Sequence, residues 1–185
     1  MLKHTDGSLM DNIVLIGFMG CGKTSVGQQL AQKLNFAFYD TDQMIEDESK
    51  RSISNIFATE GEEYFRRLET TTIKNLYGKM NHSVLSVGGG LPIREGNVEL
   101  LRRLGHVVYL KTSMATIKKR LEGDTKRPLL AGDDVDKKVE NLLMIRTPIY
   151  ELAAHSIVET DNKFFEDIIE EIQNKVNILT IENRG

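Results

Sequence analysis

Residues Gly17 to Thr24 read GFMGCGKT and match the spacing G-x-x-x-x-G-K-[ST], which is a spacing that holds phosphate. Its glycines let successive backbone N–H groups turn inward on an anion with no side chain in the way, and a helix N-terminus behind them adds partial positive charge. In such a cradle Lys23 is expected to reach the β- and γ-phosphates of a nucleoside triphosphate, and Thr24 to offer its hydroxyl to Mg2+. Gly20, Cys21, Gly22 and Ser25 complete the expected nucleotide contacts. Cys21 reads as a small residue filling a tight turn, with a reactive thiol as the sharper alternative.

Further along, Asp40-Thr41-Asp42 ends a short β-branched and aromatic run. Two carboxylates two residues apart on an extended segment point the same way, so one can serve a metal, directly or through water, while the other accepts from a substrate hydroxyl. Asp42 could equally cap a helix beginning at Gln43. In FRRLE, Arg66 and Glu69 stand at i, i+3, a spacing that lets the acid orient the base, although an isolated pair of this kind is usually a solvated surface bridge. Ser86-Val87-Gly88-Gly89-Gly90 follows a third apolar run, and bare backbone there admits a ligand closely. The run SVLSV lacks the usual acid of a Walker B strand, leaving Ser86 as a candidate for a water-mediated metal shell. Arg127, in a Gly- and Pro-containing stretch, and Arg146, late in a helical one, are of the type that can close on transferring phosphate, although either alone is more often a solvated surface residue.

These groups need a scaffold, and the hydropathy pattern supplies one. Short runs at Asn12–Ile16, 36–39, 83–87, 107–110 and 157–159 alternate with helical periodicity at Lys23–Leu34, 52–59, Glu62–Leu76, Asn97–Leu104, 113–121, 135–154 and 164–177. Val26, Leu30 and Leu34 form one apolar face of the first helix, and Phe65, Leu68, Thr72 and Leu76 do so in another. Strands alternating with helices predict a parallel sheet wrapped on both sides, here as one domain over 12–177. Residues 1–11 lack periodicity and are expected to form a flexible arm, while 122–134, reading EGDTKRPLLAGDD, is expected to be a mobile lid. A net charge of -3 gives no global field for nucleic acid, the one cysteine excludes an internal disulfide, and no apolar run reaches the ~18 residues of a membrane span. A cytoplasmic monomer without membrane or nucleic-acid partners is the expectation, the monomer because no exposed apolar stripe is evident.

Taken together, GFMGCGKT, DTD, IFATEGEEYFRRLE, VGGG, KRPLL and RTPIY, in this order, resemble the shikimate kinase family from Ile13 to about Asn162. The resemblance implies an α/β fold of the P-loop NTPase type, a three-layer sandwich whose five-stranded parallel sheet runs in the order 2-3-1-4-5. It implies transfer of the γ-phosphoryl group of ATP, with Mg2+, to the 3-hydroxyl of shikimate, giving shikimate 3-phosphate and ADP on the way to chorismate and aromatic amino acids. By the same motifs Asp42 binds substrate hydroxyls and is the base candidate, and Asp40 supports Mg2+. Arg66 and Arg146 grip the shikimate carboxylate, Phe57 and Phe65 shape its site, and Gly88, Gly89 and Gly90 line it. Arg127 would close with the lid onto the phosphates, and Arg120 would stack on adenine. Cys21 and the order Thr24-Ser25 depart from the commoner letters without removing the hydroxyl that Mg2+ needs. A gluconate- or nucleotide-directed kinase fits the P-loop but not the paired arginines and triple glycine, and a nucleotide-binding regulatory module would leave the substrate groups without a purpose.

Overall fold

The structure, a computed structural model, describes residues 12–122 and 134–182. The arm at 1–11, the expected lid almost entirely, and Arg127 with it therefore lie outside the described residues. Five strands, β1 (Asn12–Ile16), β2 (Ala37–Asp40), β3 (Ser83–Ser86), β4 (His106–Lys111) and β5 (Ser156–Glu159), pair in parallel in the order β2-β3-β1-β4-β5. That is the order the resemblance implies.

A strand side chain alternates faces with period two, so a strand covered on both sides must be apolar at nearly every position. In β1 this sends Val14 and Ile16 into one core and Ile13 and Leu15 into the other. The strand β4 does the same with Val107 and Tyr109 against Val108 and Leu110. The second core is closed by α1 (Lys23–Leu34), through Val26, Leu30 and Ala31, and by α8 (Phe165–Glu182), through Ile168, Ile169 and Ile172. The first is closed by α4 (Glu62–Leu76), α5 (Asn97–Leu104), α6 (Met114–Leu121) and α7 (Val135–Ala153). The result is three layers. Two shorter helices, α2 (Thr41–Ser49) and α3 (Ile53–Glu60), join α4 in a small satellite core of Ile45, Ile56 and Phe65 beside the β2 edge.

The helix after β2 starts earlier than the capping alternative placed it. Asp40, not Asp42, is the N-cap of α2: one of its oxygens accepts from Asp42 N at 3.0 Å and Gln43 N at 3.4 Å. This leaves the Asp42 side chain in the first helical turn, directed to the site. On α7, Met144, Ile145 and Leu152 are largely exposed, an apolar strip that the hydropathy pattern had not singled out.

Candidate active site

Ligands of open α/β sheets gather at the carboxyl edge, where strand order reverses. Here that edge carries the loop after β1, the Asp40–Asp42 segment after β2 and the glycines after β3. Asp40 and Ser86 stand in register on neighbouring strands, so the three segments meet.

The N-cap of α1 is Gly22, whose φ of 97° is left-handed and which supplies no side-chain hydrogen bond. The first-turn amides of α1 therefore face the cleft rather than a cap, which is the arrangement that receives an anion. Lys23 is buried, its Nζ donating to the carbonyls of Gly17 at 2.9 Å and Phe18 at 3.0 Å. Cys21 is buried as well, with its Sγ 3.8 Å from that Nζ. Thr24 and Ser25 are exposed on the cleft, and Thr24 Oγ1 donates to Asp40 Oδ2 at 3.0 Å. The cleft, about 630 Å3, is lined by the loop from Met19 to Val26, by Asp40, Asp42 and Ser86, and by Arg120, Lys163, Phe164 and Phe165.

Arg120 Nη1 donates to Gly20 O at 3.1 Å, so it lies over the loop. The 159–162 segment opposite is pinned by Asp161, which accepts from Ser113 N and Oγ at 2.7 Å each and from Thr116. Burial works to raise the Asp161 pKa, but these hydrogen bonds and Arg120 hold it below the usual range. Sequence reasoning missed Phe164, which is 78% exposed, and Phe165. A pair of exposed aromatics at a helix start was the available signal, and it was read as a boundary.

A second cavity, about 110 Å3, adjoins the first and shares Met19, Asp42, Gly88 and Gly89 with it. Phe57, Phe65, Arg66, Gly90 and Arg146 complete the set expected here, and Ile53 and Glu69 add to it. Phe57 and Phe65 lean together at 4.9 Å, and Arg66 lies over Phe65 at 5.4 Å. The glycines are required by what surrounds them. A Cβ on Gly88 would sit 2.5 Å from Glu69 Oε1 and 2.8 Å from Asp42 Oδ1, and one on Gly90 would collide with the Arg66 guanidinium. Close approach, rather than turning, is why this loop has no side chains.

The electrostatics of this pocket differ from a surface ion pair. Glu69 is 1% exposed and accepts from Arg66 Nη1 at 2.7 Å, while Glu62 takes Nη2 at 2.9 Å. Burial pushes the Glu69 carboxyl up to about 7 against the pull of Arg66, and Asp42 adds to the rise. Burial works to lower the Arg66 pKa, but Glu69 and Glu62 more than offset it and leave it raised. Arg146 is 5% exposed and stacks over Phe18 at 5.7 Å. Its Nη1 and Glu69 Oε1 are each buried with no hydrogen-bond partner among the described residues. A buried guanidinium N–H left without an acceptor is costly, of order 1–3 kcal/mol or more, and calls for an anion from outside. The described residues among those expected at the site are thus brought to one continuous cavity system, and Arg127 lies outside the described residues.

A family model described as shikimate kinase matches residues 19–177. The chain belongs to the shikimate kinase family. It is 41% identical over 167 residues to the shikimate kinase of Symbiobacterium thermophilum, covering 89% of this chain and 95% of that protein. The structure superposes on the shikimate kinase from Acinetobacter baumannii in complex with shikimate with a TM-score of 0.86 and 38% identity, over 94% of each chain. A gluconokinase from Sinorhizobium meliloti shares the fold at a TM-score of 0.63, with 19% identity.

Proposed function

We infer that this chain is an ATP-dependent kinase that transfers the γ-phosphoryl group of ATP to shikimate. The observation that carries the reading is the buried Arg146 Nη1 without an acceptor among the described residues, in a cavity that it lines with Arg66 and Asp42 and that is continuous with the phosphate cradle. Two guanidinium groups suit a carboxylate and a carboxylate suits a hydroxyl, so a hydroxylated ring acid satisfies both ends of the pocket. Family membership fixes the acceptor as shikimate.

In this reading Arg66 and Arg146 take the substrate carboxylate, Gly88, Gly89 and Gly90 admit the ring, and Phe57 and Phe65 wall it. Asp42 accepts from the hydroxyl that attacks, orienting it and drawing off its proton. Lys23 leaves the Gly17 and Phe18 carbonyls for the β- and γ-phosphates, and the first-turn amides of α1 with Gly20, Cys21, Gly22 and Ser25 hold the rest of the chain of phosphates. Arg120 and Phe165, which both line the cleft, are the groups available to the base. Arg127 is retained as a lid residue by the motif alone.

The donor set fits Mg2+. Thr24 Oγ1 and Asp40 Oδ2 are adjacent hard oxygens at the mouth of the cradle, and no group of three or more His, Cys, Asp or Glu residues competes as a metal site among the described residues. Magnesium commonly takes one or two protein oxygens and fills its shell with phosphate and water. Bound there it would neutralise charge on the transferring phosphoryl group. Asp40 serves best through water, because its other oxygen is committed to capping α2.

A monomer of one kinase domain over 12–177 completes the reading. It is supported by a single sheet, and light scattering that gave a dimer mass would tie the exposed Met144, Ile145 and Leu152 to self-association. Among the described residues no helix is long and apolar enough to cross a membrane. The deciding experiment is a coupled ADP-release assay with shikimate, gluconate and nucleoside monophosphates as acceptors. Stimulation by shikimate alone is expected; its absence overturns the assignment.

A further inference from the structure

The acceptor pocket is walled by a loop whose Gly88 and Gly90 carbonyls accept from Leu91 N at 3.0 Å and Ile93 N at 3.2 Å, which leaves the Gly89 carbonyl to a side chain. Gly88, Gly89 and Gly90 carry no side chains, and glycine backbone is the least constrained of all. On one side Thr41 Oγ1 accepts from Gly88 N at 3.0 Å. On the other, the hydroxyl of Tyr150 on α7 donates to the Gly89 carbonyl at 2.5 Å. The Arg146 guanidinium, one helical turn earlier, lies near the same hydroxyl and works to lower its pKa.

A phenol has one proton to give and lone pairs to spare, so Tyr150 can donate to Gly89 and accept from Arg146 at once. It is fully buried, and its ring is wedged against Tyr109 at 5.2 Å. Burial raises its pKa far above neutrality, so it stays a donor across the working range. The peptide plane is rigid and trans. Holding the Gly89 carbonyl toward Tyr150 therefore aims the Gly90 N–H the opposite way. Tyr150 does not line either cavity, yet the Gly89 carbonyl, from a residue that lines both, hangs on its oxygen, with Arg146 of the smaller cavity nearby.

We propose that Tyr150 is a positioning residue for the phosphoryl acceptor, its hydroxyl locking the Gly89–Gly90 peptide and Arg146 into the arrangement that receives the substrate. The inference rests on the shikimate reading, and the wild-type assay tests that reading separately: if the wild type ignores shikimate the reading falls, whatever a variant does. In an enzyme that turns shikimate over, Y150F keeps the ring and removes only the hydroxyl. Its KM for shikimate is expected to rise about ten-fold, equivalent to about 1.4 kcal/mol. Its KM for ATP should stay within about two-fold and its melting temperature should fall by no more than about 5 °C. Y109F is the control, since it strips a hydroxyl from the other ring of the buried pair, and it should leave the shikimate KM unchanged. A shikimate KM unmoved in Y150F, an equal rise for both substrates, an equal effect in Y109F, or a Y150F chain that no longer folds would each overturn the proposal. In the last case the hydroxyl would be holding the fold rather than the site.

Discussion

Replacing Glu69 by Gln tests the electrostatics of the acceptor pocket directly. Glu69 is 1% exposed, only one of its oxygens is bonded, and its native pKa is pushed up to about 7 from a reference of 4.5. A raised native pKa means that the folded protein holds the proton more tightly than the unfolded chain does. Its contribution is therefore fully present below about pH 4.5 and is lost as pH rises through 7. Each pKa unit is worth about 1.4 kcal/mol, so the whole loss is roughly 3 kcal/mol, most of it falling between pH 5 and 8. Gln is nearly isosteric and still accepts from Arg66, but it does not titrate, and a neutral acceptor bonds a guanidinium about half as strongly. Urea unfolding of ligand-free wild type and E69Q at pH 5, 6, 7 and 8 reads the difference. Relative to E69Q, the wild type should lose roughly 2–3 kcal/mol across that range. Parallel stability curves would refute the claim that Glu69 is a strained buried acid and return it to an ordinary ion pair.

Lys23→Ala should cut kcat by at least about 10²-fold, because the ammonium acts most on charge developing in the transition state; retained shikimate-induced thermal stabilisation in the same variant checks that the acceptor pocket survives. Arg146→Ala should raise the shikimate KM by roughly 10- to 100-fold, the worth of a charge-assisted hydrogen bond of about 1.5–3 kcal/mol, with little change in ATP affinity; steady-state kinetics varying each substrate would expose a selective loss of ATP binding as a contradiction. At the opposite end of the sheet, burial and the neighbouring His155 lower the His106 pKa to about 4. The depressed value stabilises the fold above about pH 6.5 and the benefit fades as pH falls through 4, by roughly 1–3 kcal/mol; H106Q should flatten this acid limb in the same urea series, and an unchanged limb would assign it to other groups.

The sheet was legible because both its faces are covered. Strands such as Asn12–Ile16 must then be apolar throughout, and the helices between them show their covered face at i, i+4. Boundaries moved where a side chain outcompeted the pattern. Ser52 and Ser113 read as helical residues but cap α3 and α6 instead, accepting from Asn55 N and Thr116 N. The segment after β2 is the instructive case: Asp40 and Asp42 carry identical chemistry, and local propensity alone could assign the cap to either. Register decided it, since Asp40 ends β2 opposite Ser86 and is the one with both oxygens free to turn toward backbone and Thr24.

The site residues came from motifs, but their energetic state came only from packing. An acid three residues from an arginine on a helix looks the same in sequence whether it faces water or the interior. Glu69 is buried because α4 presses it against the glycine loop, a contact contributed by residues 19 and 27 positions away, Gly88 and Asp42 among them. The same long-range convergence hides Tyr150: its partner carbonyl is 61 residues earlier, and a tyrosine late in an amphipathic helix is, on periodicity, one more core residue. Glu69 holds Arg66, and Tyr150 holds the Gly89 carbonyl, so each acts through another group that lines the pocket. They are therefore the kind of determinant that spacing rules miss, because such rules find the groups that touch substrate and leave out those that hold them still.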